Sequence, residues 1–140
     1  MQVREAMSPE IVSIGPDHTL RQAAALMSQR RVGAAVVIDP DSYGLGILTE
    51  RDIMRAIGSG LDPDVERAGS HHTSDLVFAG PEWTIIAAAE AMIRGGFRHL
   101  VVVDNDEVVG ILSVRDVIRV WSRAAAELRP TASAQQRAGS

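Results

Sequence analysis

Apolar positions follow two rhythms along the chain, and the same succession of rhythms occurs twice. The runs AAVVID at 34–39 and LVVVD at 100–104 are continuously apolar, which is typical of strands buried on both faces. Ahead of each run, apolar side chains recur every three or four positions, which predicts a helix. Those helical positions are Leu20, Ala23, Ala24 and Met27 in the first stretch, and Ile85, Ala88, Ala89 and Met92 in the second.

Shorter elements complete each stretch. Apolar segments at 11–14 and 76–79 end close to a Gly-Pro pair, a turn signal that bounds a short strand. After each buried run come a tight turn, another apolar strand and a second helical pattern. Each stretch therefore predicts the order β-α-β-β-α, and the fold class is α/β in the broad sense (α+β).

The two stretches are copies of one sequence unit. Residues 12–39 align with residues 77–104 without a gap, and GILTERD at 46–52 matches GILSVRD at 110–116. A repeat of this kind indicates one structural unit that buries its apolar face against a neighbouring copy. We expect the two copies to pack sheet against sheet about a pseudo-twofold axis, with two equivalent clefts between them.

The repeat also sets the expected division of the chain. Residues 1–60 form the first repeat with a lead-in segment, and residues 61–128 form a linker and the second repeat. Residues 129–140 are small and polar without periodicity, which predicts a disordered tail.

The composition and charge of the chain argue against several classes of function. The formal net charge of −4 argues against a general nucleic-acid binder, which needs a basic face. The chain has no cysteine, and its longest apolar runs are too short for a membrane span. The N-terminal residues lack a signal-peptide pattern, so we expect a cytoplasmic location. We predict no metal site, because the adjacent His71 and His72 rarely converge on one ion and suit a solvated linker better.

The doubled phrase carries the candidate chemistry. A hydroxyl followed three residues later by a carboxylate, as in Thr49 with Asp52 and Ser113 with Asp116, is a helix-capping signature. Capping alone does not call for Arg51 and Arg115, because a cation in the first turn opposes the helix dipole. Free backbone N–H groups together with an arginine favour an anion site. The alternative is a salt bridge from each arginine to an acidic side chain elsewhere.

The doubled phrases and the strands GAAVVID and RHLVVVD together resemble the cystathionine-β-synthase (CBS) domain, and two such repeats resemble a CBS pair, or Bateman module. The resemblance spans residues 3 to about 122 and implies adenine-nucleotide binding. It implies ribose contacts from the aspartates, phosphate contacts from the hydroxyls and adenine contacts from the first two strands. The implied residues are Thr49, Asp52, Ser113 and Asp116 for ribose and phosphate, and Ser13, Ile14, Ala35, Phe78, Ala79 and Leu100 for adenine. The sequence departs from the family by having Val36 and Val101 where proline is frequent.

The resemblance also draws attention to Arg98 and His99, since the family often has a phosphate-contacting Arg or His before the second strand. The first repeat has Gly33 and Ala34 at those positions. We therefore expect unequal clefts and favour the cleft of the second repeat, with Asp116. The alternative is that Arg98 is solvated and His99 is an ordinary strand residue.

The final helical pattern, at 114–128, is longer than its counterpart in the first repeat. Trp121 and the extra turns have little left to cover within one chain, which favours a subunit contact. Proteins of the family that the sequence resembles often form dimers, so we expect a homodimer through this helix. The alternative is that Trp121 covers the core of its own chain.

The resemblance implies a regulatory sensor that binds AMP, ADP, ATP or S-adenosylmethionine between its repeats and signals to an unidentified partner protein by a change of shape. No cofactor is required. We do not expect an enzyme, because the sequence shows no recognisable nucleophile or paired-carboxylate arrangement. The alternative is a ligand-free dimeric scaffold. Filled, apolar clefts favour that scaffold, whereas open clefts with arginines and aspartates favour the sensor.

Overall fold

The computed structural model describes residues 1–42, 44–73 and 78–128. A short helix α1 (Val3–Ala6) precedes the first repeat, and a 3₁₀ turn (Ala68–Ser70) precedes the second. The first half contains β1 (Ser13–Ile14), α2 (Leu20–Arg30), β2 (Ala34–Ile38), β3 (Leu45–Thr49) and α3 (Glu50–Gly58). The second half contains β4 (Phe78–Ala79), α4 (Ile85–Gly95), β5 (His99–Asp104), β6 (Glu107–Ser113) and α5 (Val114–Leu128).

Each half forms its own three-stranded sheet, and the two sheets share one topology. The strand orders are β1-β2-β3 and β4-β5-β6, with a parallel pair followed by an antiparallel pair in both sheets. The predicted β-α-β-β-α order is therefore confirmed in both halves. Of the strand predicted at 76–79, residues 76 and 77 lie outside the described residues, as does the tail predicted at 129–140.

Helix boundaries follow local capping chemistry. The Thr19 hydroxyl accepts the backbone N–H of Gln22 at 3.1 Å, and Thr84 accepts that of Ala87 at the same distance. Each interaction satisfies one of the unpaired N–H groups at a helix start. Helix α4 ends where Gly96 adopts a left-handed conformation with φ of 69°, which glycine does without steric cost.

Two cores lie between helices and sheets, and a third cluster joins the halves. The core of the first half includes Leu20, Ala35 and Leu48, each with no exposed surface. The core of the second half is built from the corresponding residues. Ala34 and Ile47 of one sheet then pack with Val101 of the other. The sheets therefore pack against each other through their remaining faces.

The lead-in segments, which are residues 3–8 and 65–73, are exchanged between the halves. The N–H of Val3 donates to the carbonyl of Trp83 at 2.8 Å, and that of Ser8 donates to the carbonyl of Ile111 at 2.9 Å. In return, the N–H of Leu20 donates to the carbonyl of Glu66 at 2.9 Å. Each lead-in therefore binds the half that it does not directly precede in sequence.

A glycine makes room for each exchanged segment. A Cβ atom at Gly110 would lie 2.8 Å from both Met7 Sδ and the carbonyl oxygen of Ser8. The matching position, Gly46, has the His72 ring against it, and a Cβ atom at Gly46 would overlap that ring. The glycine of the doubled phrase is thus required by the close approach of the lead-in.

Helix α5 has an inner and an outer apolar face. Val114, Val117 and Val120 pack against the core of the second half. Trp121 is 68% exposed, so the interpretation that it covers the core of its own chain is wrong. Among the described residues, no helix combines the length and the hydropathy that a membrane crossing requires.

Candidate ligand-binding site

A cleft opens where the first copy of the doubled phrase meets the start of β5. The cleft has a volume of about 170 Å³ and is open to solvent. Residues from both halves line it. They are Ile47, Thr49, Glu50, Arg51, Asp52 and Arg55 from the first half, Thr73 from the lead-in segment bound to that half, and Gly96, Phe97, Arg98, His99 and Val101 from the second half.

The Asp52 carboxylate is fixed by the start of α3. One oxygen, Oδ2, accepts the backbone N–H of Thr49 at 2.8 Å and the Thr49 hydroxyl at 3.0 Å. The N–H of Asp52 donates back to the Thr49 hydroxyl at 3.3 Å, which completes a capping box. Within the described part of the chain, no donor contacts the second oxygen, Oδ1. The carboxylate is therefore held in place with one acceptor free.

Positive charge dominates the rest of the cleft. Arg51, Arg55 and Arg98 line it, against the carboxylates of Glu50 and Asp52. Burial lowers the pKa of His99, an effect that the carboxylates of Glu50 and Asp116 oppose and that Arg98 and Arg115 reinforce. Three guanidinium groups and a helix N-terminus make this cleft suited to a phosphate-bearing ligand.

The second copy of the phrase is arranged differently. The Ser113 N–H donates to Asp116 Oδ2 at 2.8 Å, and the Asp116 N–H donates to the Ser113 hydroxyl at 3.1 Å. The other carboxylate oxygen, Oδ1, accepts a charged hydrogen bond from Arg119. Asp116 is buried, whereas the Arg115 side chain is exposed to solvent.

Arg98 and His99 line the Asp52 cleft, although the sequence predicts that they strengthen the Asp116 cleft. The backbone of Arg98 does contact the second phrase, because its carbonyl accepts the N–H of Val114 at 2.9 Å. The side chains nevertheless reach across the interface. His99 Nε2 lies 3.7 Å from the position that a Cβ atom would take at Gly33 in the first half.

The predicted adenine contacts are divided between two faces of the sheets. Ile14 and Ala35 are buried in the core of the first half, and Ala79 and Leu100 in that of the second, so their side chains do not line the cleft. Side chains alternate between faces along a strand, and these four point toward the helices. Ser13 pairs with Val36 and Phe78 pairs with Val101, which places Ser13 and Phe78 on the inter-sheet face.

The valine in place of proline has a structural consequence. The N–H of Val36 donates to the carbonyl of Val12 at 2.8 Å. A proline lacks this N–H and leaves the neighbouring carbonyl available to a ligand. In this chain the Val12 carbonyl is already paired, so a base bound against this strand must find its partners elsewhere.

Sequence reasoning missed several cleft residues. Glu50 lies inside the doubled phrase and Arg55 lies three residues beyond it, and nothing in the sequence distinguishes either from an ordinary helix residue. Phe97 and Thr73 belong to segments assigned to a helix end and a linker. The pairing of Thr73 with Ile47, with N–H to carbonyl distances of 3.0 Å in both directions, brings the linker to the cleft. Only the exchange of lead-in segments reveals this contact.

The sequence predicts solvated histidines in the linker, but both histidines are packed against other residues. His71 Nε2 lies 3.1 Å from a Glu66 carboxylate oxygen, and His72 Nδ1 lies 3.2 Å from the carbonyl oxygen of Ala68. Across the described ranges, no three His, Asp or Glu side chains are grouped closely enough to hold a metal ion.

The two repeats seen in the structure are also found when the sequence is compared with known protein families. The family model of the CBS domain matches twice, over residues 3–59 and 68–123. The CBS domain-containing protein YhcV of Bacillus subtilis is 30% identical over 116 residues, which are 82% of this chain and 81% of that protein. An uncharacterized 17.7 kDa protein of Acidianus ambivalens is 32% identical over 120 residues, covering 84% of this chain and 71% of that one.

One similar protein of known structure has a bound ligand. The CBS domain protein PAE2072 from Pyrobaculum aerophilum, complexed with AMP, superposes with a TM-score of 0.75 at 31% identity. The similarity covers 88% of this chain and 99% of that one.

Proposed function

The chain belongs to the CBS-domain family as a tandem pair of its repeats, and from that premise we propose that it is a regulatory protein that binds an adenosine-containing ligand. The site is the cleft between Asp52 and Arg98. The ligand candidates are AMP, ADP, ATP and S-adenosylmethionine. Binding changes the angle between halves or subunits, and a partner protein responds to that change. The chain itself catalyses no reaction in this proposal.

One observation carries the proposal: a carboxylate with a free oxygen faces three arginines in an open cleft. Oδ1 of Asp52 is suited to accept hydrogen bonds from ribose hydroxyls. The N-terminus of α3 is suited to a phosphate, and Arg98 adds a guanidinium from the opposite half. The AMP-bound relative from Pyrobaculum aerophilum supports this class of ligand.

The scaffold alternative predicts a cleft filled by apolar side chains. The inter-sheet cluster of Ala34, Ile47 and Val101 does pack in this way. The cleft beside it remains open, however, and carries Arg51 and Asp52 at its surface. This arrangement favours a ligand over a purely structural role.

Titration calorimetry with adenosine, AMP and ATP tests the proposal. Hydrogen bonds to charged groups contribute about 1.5–3 kcal/mol, so Asp52→Asn is expected to weaken binding of all three by about 10- to 100-fold. Arg98→Ala is expected to weaken ATP more than AMP and to leave adenosine nearly unchanged. Arg94→Ala, on the exposed last turn of α4, is the matched arginine control and keeps wild-type affinity.

The outcome also separates the two functions. A wild-type chain that binds none of the three compounds, and is not stabilised by S-adenosylmethionine in a thermal-shift assay, supports the scaffold. Binding that survives Asp52→Asn unchanged contradicts the assignment of the cleft.

A further inference from the structure

The two copies of the phrase hold their aspartates alike but leave them in different states. Both carboxylates use Oδ2 to accept the backbone N–H of the capping residue, at 2.8 Å in each case. Only Oδ1 is then left for an external ligand. On Asp116, that oxygen is occupied by the guanidinium of Arg119, three residues further along α5.

The first copy has an arginine at the same spacing, Arg55, but without the same pairing. Arg55 is exposed and lines the open cleft, and the described residues contain no ion pair between it and Asp52. Asp52 is correspondingly half-buried, whereas Asp116 is only 7% exposed. The difference therefore lies in how the arginine is placed and not in which residues are present.

The surroundings reinforce this difference. The Asp52 cleft receives Arg98 and His99 from the opposite half. The matching residues of the first half are Gly33, which has no side chain, and Ala34, which is buried in the inter-sheet cluster. A ligand at Asp116 meets fewer cations and must first displace one from the carboxylate.

We infer that the chain binds one ligand and not two, and that Arg119 closes the second cleft by occupying the carboxylate oxygen of Asp116 that a ligand needs. This inference rests on the proposed function for the site at Asp52. The guanidinium of Arg119 and the carboxylate of Asp116 form a hydrogen bond in which both partners are charged. A ribose hydroxyl, which carries no charge, must displace that guanidinium to reach Oδ1.

A ligand-free experiment tests the pairing by itself. Thermal denaturation is measured for Asp116→Asn, Arg119→Gln and the double variant, and for the matched set Asp52→Asn, Arg55→Gln and their double variant. We expect the loss of melting temperature to be smaller than additive in the first set and additive in the second. Equal coupling in both sets, or no coupling between Asp116 and Arg119, overturns the inference whether or not a nucleotide binds.

Calorimetric stoichiometry with ATP tests the closure. The wild type and Asp116→Asn are expected to bind one ATP per chain, and Arg119→Gln to gain a second, weaker site. Two sites in the wild type, or unchanged stoichiometry in Arg119→Gln, contradict the closure by Arg119. Complete absence of ATP binding by the wild type instead counts against the proposed function, and the denaturation experiment then decides the pairing.

Discussion

The doubled phrase has a physical reason at nearly every position. Gly46 and Gly110 admit the exchanged lead-in segments, and Leu48 and Leu112 fill the two cores with no exposed surface. The isoleucines between them lie on the inter-sheet side of the strands. The hydroxyl and the aspartate then start the next helix, and the arginine between them remains exposed or half-buried beside the interface.

The capping and ligand hypotheses for Asp52 are compatible with each other. The capping box uses Oδ2, and the free oxygen Oδ1 remains for a ligand. A single residue can therefore fix the start of α3 and contact a ribose, because a carboxylate offers two acceptor atoms.

His99 gives the folded chain a measurable pH dependence. Burial lowers its pKa in the folded state, while the unfolded chain binds the proton at about pH 6.5. The unfolded state therefore binds more protons just below that pH, and stability falls as the pH decreases through it. We expect urea denaturation to show a smaller loss of unfolding free energy between about pH 7.5 and about pH 5.5 in His99→Gln than in the wild type. Identical pH profiles for the two proteins contradict the assignment.

At the scale of elements, the strands β3 and β6 each depend on a lead-in segment lying against a glycine. A Cβ atom at Gly110 meets the backbone oxygen of Ser8, which cannot move without breaking the pairing of Ser8 with Ile111. Overpacking of this kind costs about 1–3 kcal/mol, so Gly110→Ala is expected to lower the unfolding free energy by that amount.

A matched substitution provides the control for this prediction. Gly58, at the end of α3, has nothing within 4 Å of the position that a Cβ atom would take, so Gly58→Ala should retain wild-type stability or gain slightly. Chemical denaturation of both variants makes the comparison. A loss in Gly58→Ala equal to that in Gly110→Ala shows that the effect is not steric.

Much of this level of organisation is predictable from the sequence. The helices beginning after Thr19 and Thr84, the left-handed end at Gly96 and the extent of α5 follow from local chemistry. The sheet face to which each side chain of a buried strand points does not follow from local chemistry. A run such as AAVVID is apolar on both faces, so nothing local shows that Ala35 points to the helices and Val36 to the other sheet.

The site was predictable only in part for a related reason. Thr49, Asp52 and Arg51 belong to one helix start, and their proximity is a property of local sequence. Arg98 and Phe97 lie in the cleft because of the way in which the two sheets pack. Thr73 lies there because its lead-in segment binds the first half. Neither relation is encoded in the spacing of residues within one repeat.

At the scale of the whole molecule, α5 presents an outer apolar face that its own chain leaves uncovered. Ile118 and Trp121 are 58% and 68% exposed. We propose that this face contacts a second copy of the chain, as the sequence predicts. Trp121→Ala removes a large aromatic side chain of the kind that contributes about 2 kcal/mol or more to an interface, so dimer affinity should fall by about 30-fold or more.

Sedimentation velocity over a range of concentrations measures this effect. We expect the wild type to sediment as a dimer and Trp121→Ala to shift toward the 15.0 kDa monomer. Val65→Ala, which shortens an exposed apolar side chain outside α5, is the control and should sediment as the wild type does. A wild type that is monomeric at tens of micromolar removes the interface from the proposal.

The exchange of lead-in segments bears on how such a chain could have arisen. A single repeat with its own lead-in leaves part of its core open, because Val3 and Ala68 each complete the core of the opposite half. Two separate single-repeat chains close both cores only by trading these segments, as intertwined partners. Joining two such repeats in one chain needs only a short connection, which here lies between Gly58 and Val65. Half-chains divided in that connection should, for the same reason, complement each other as a split protein.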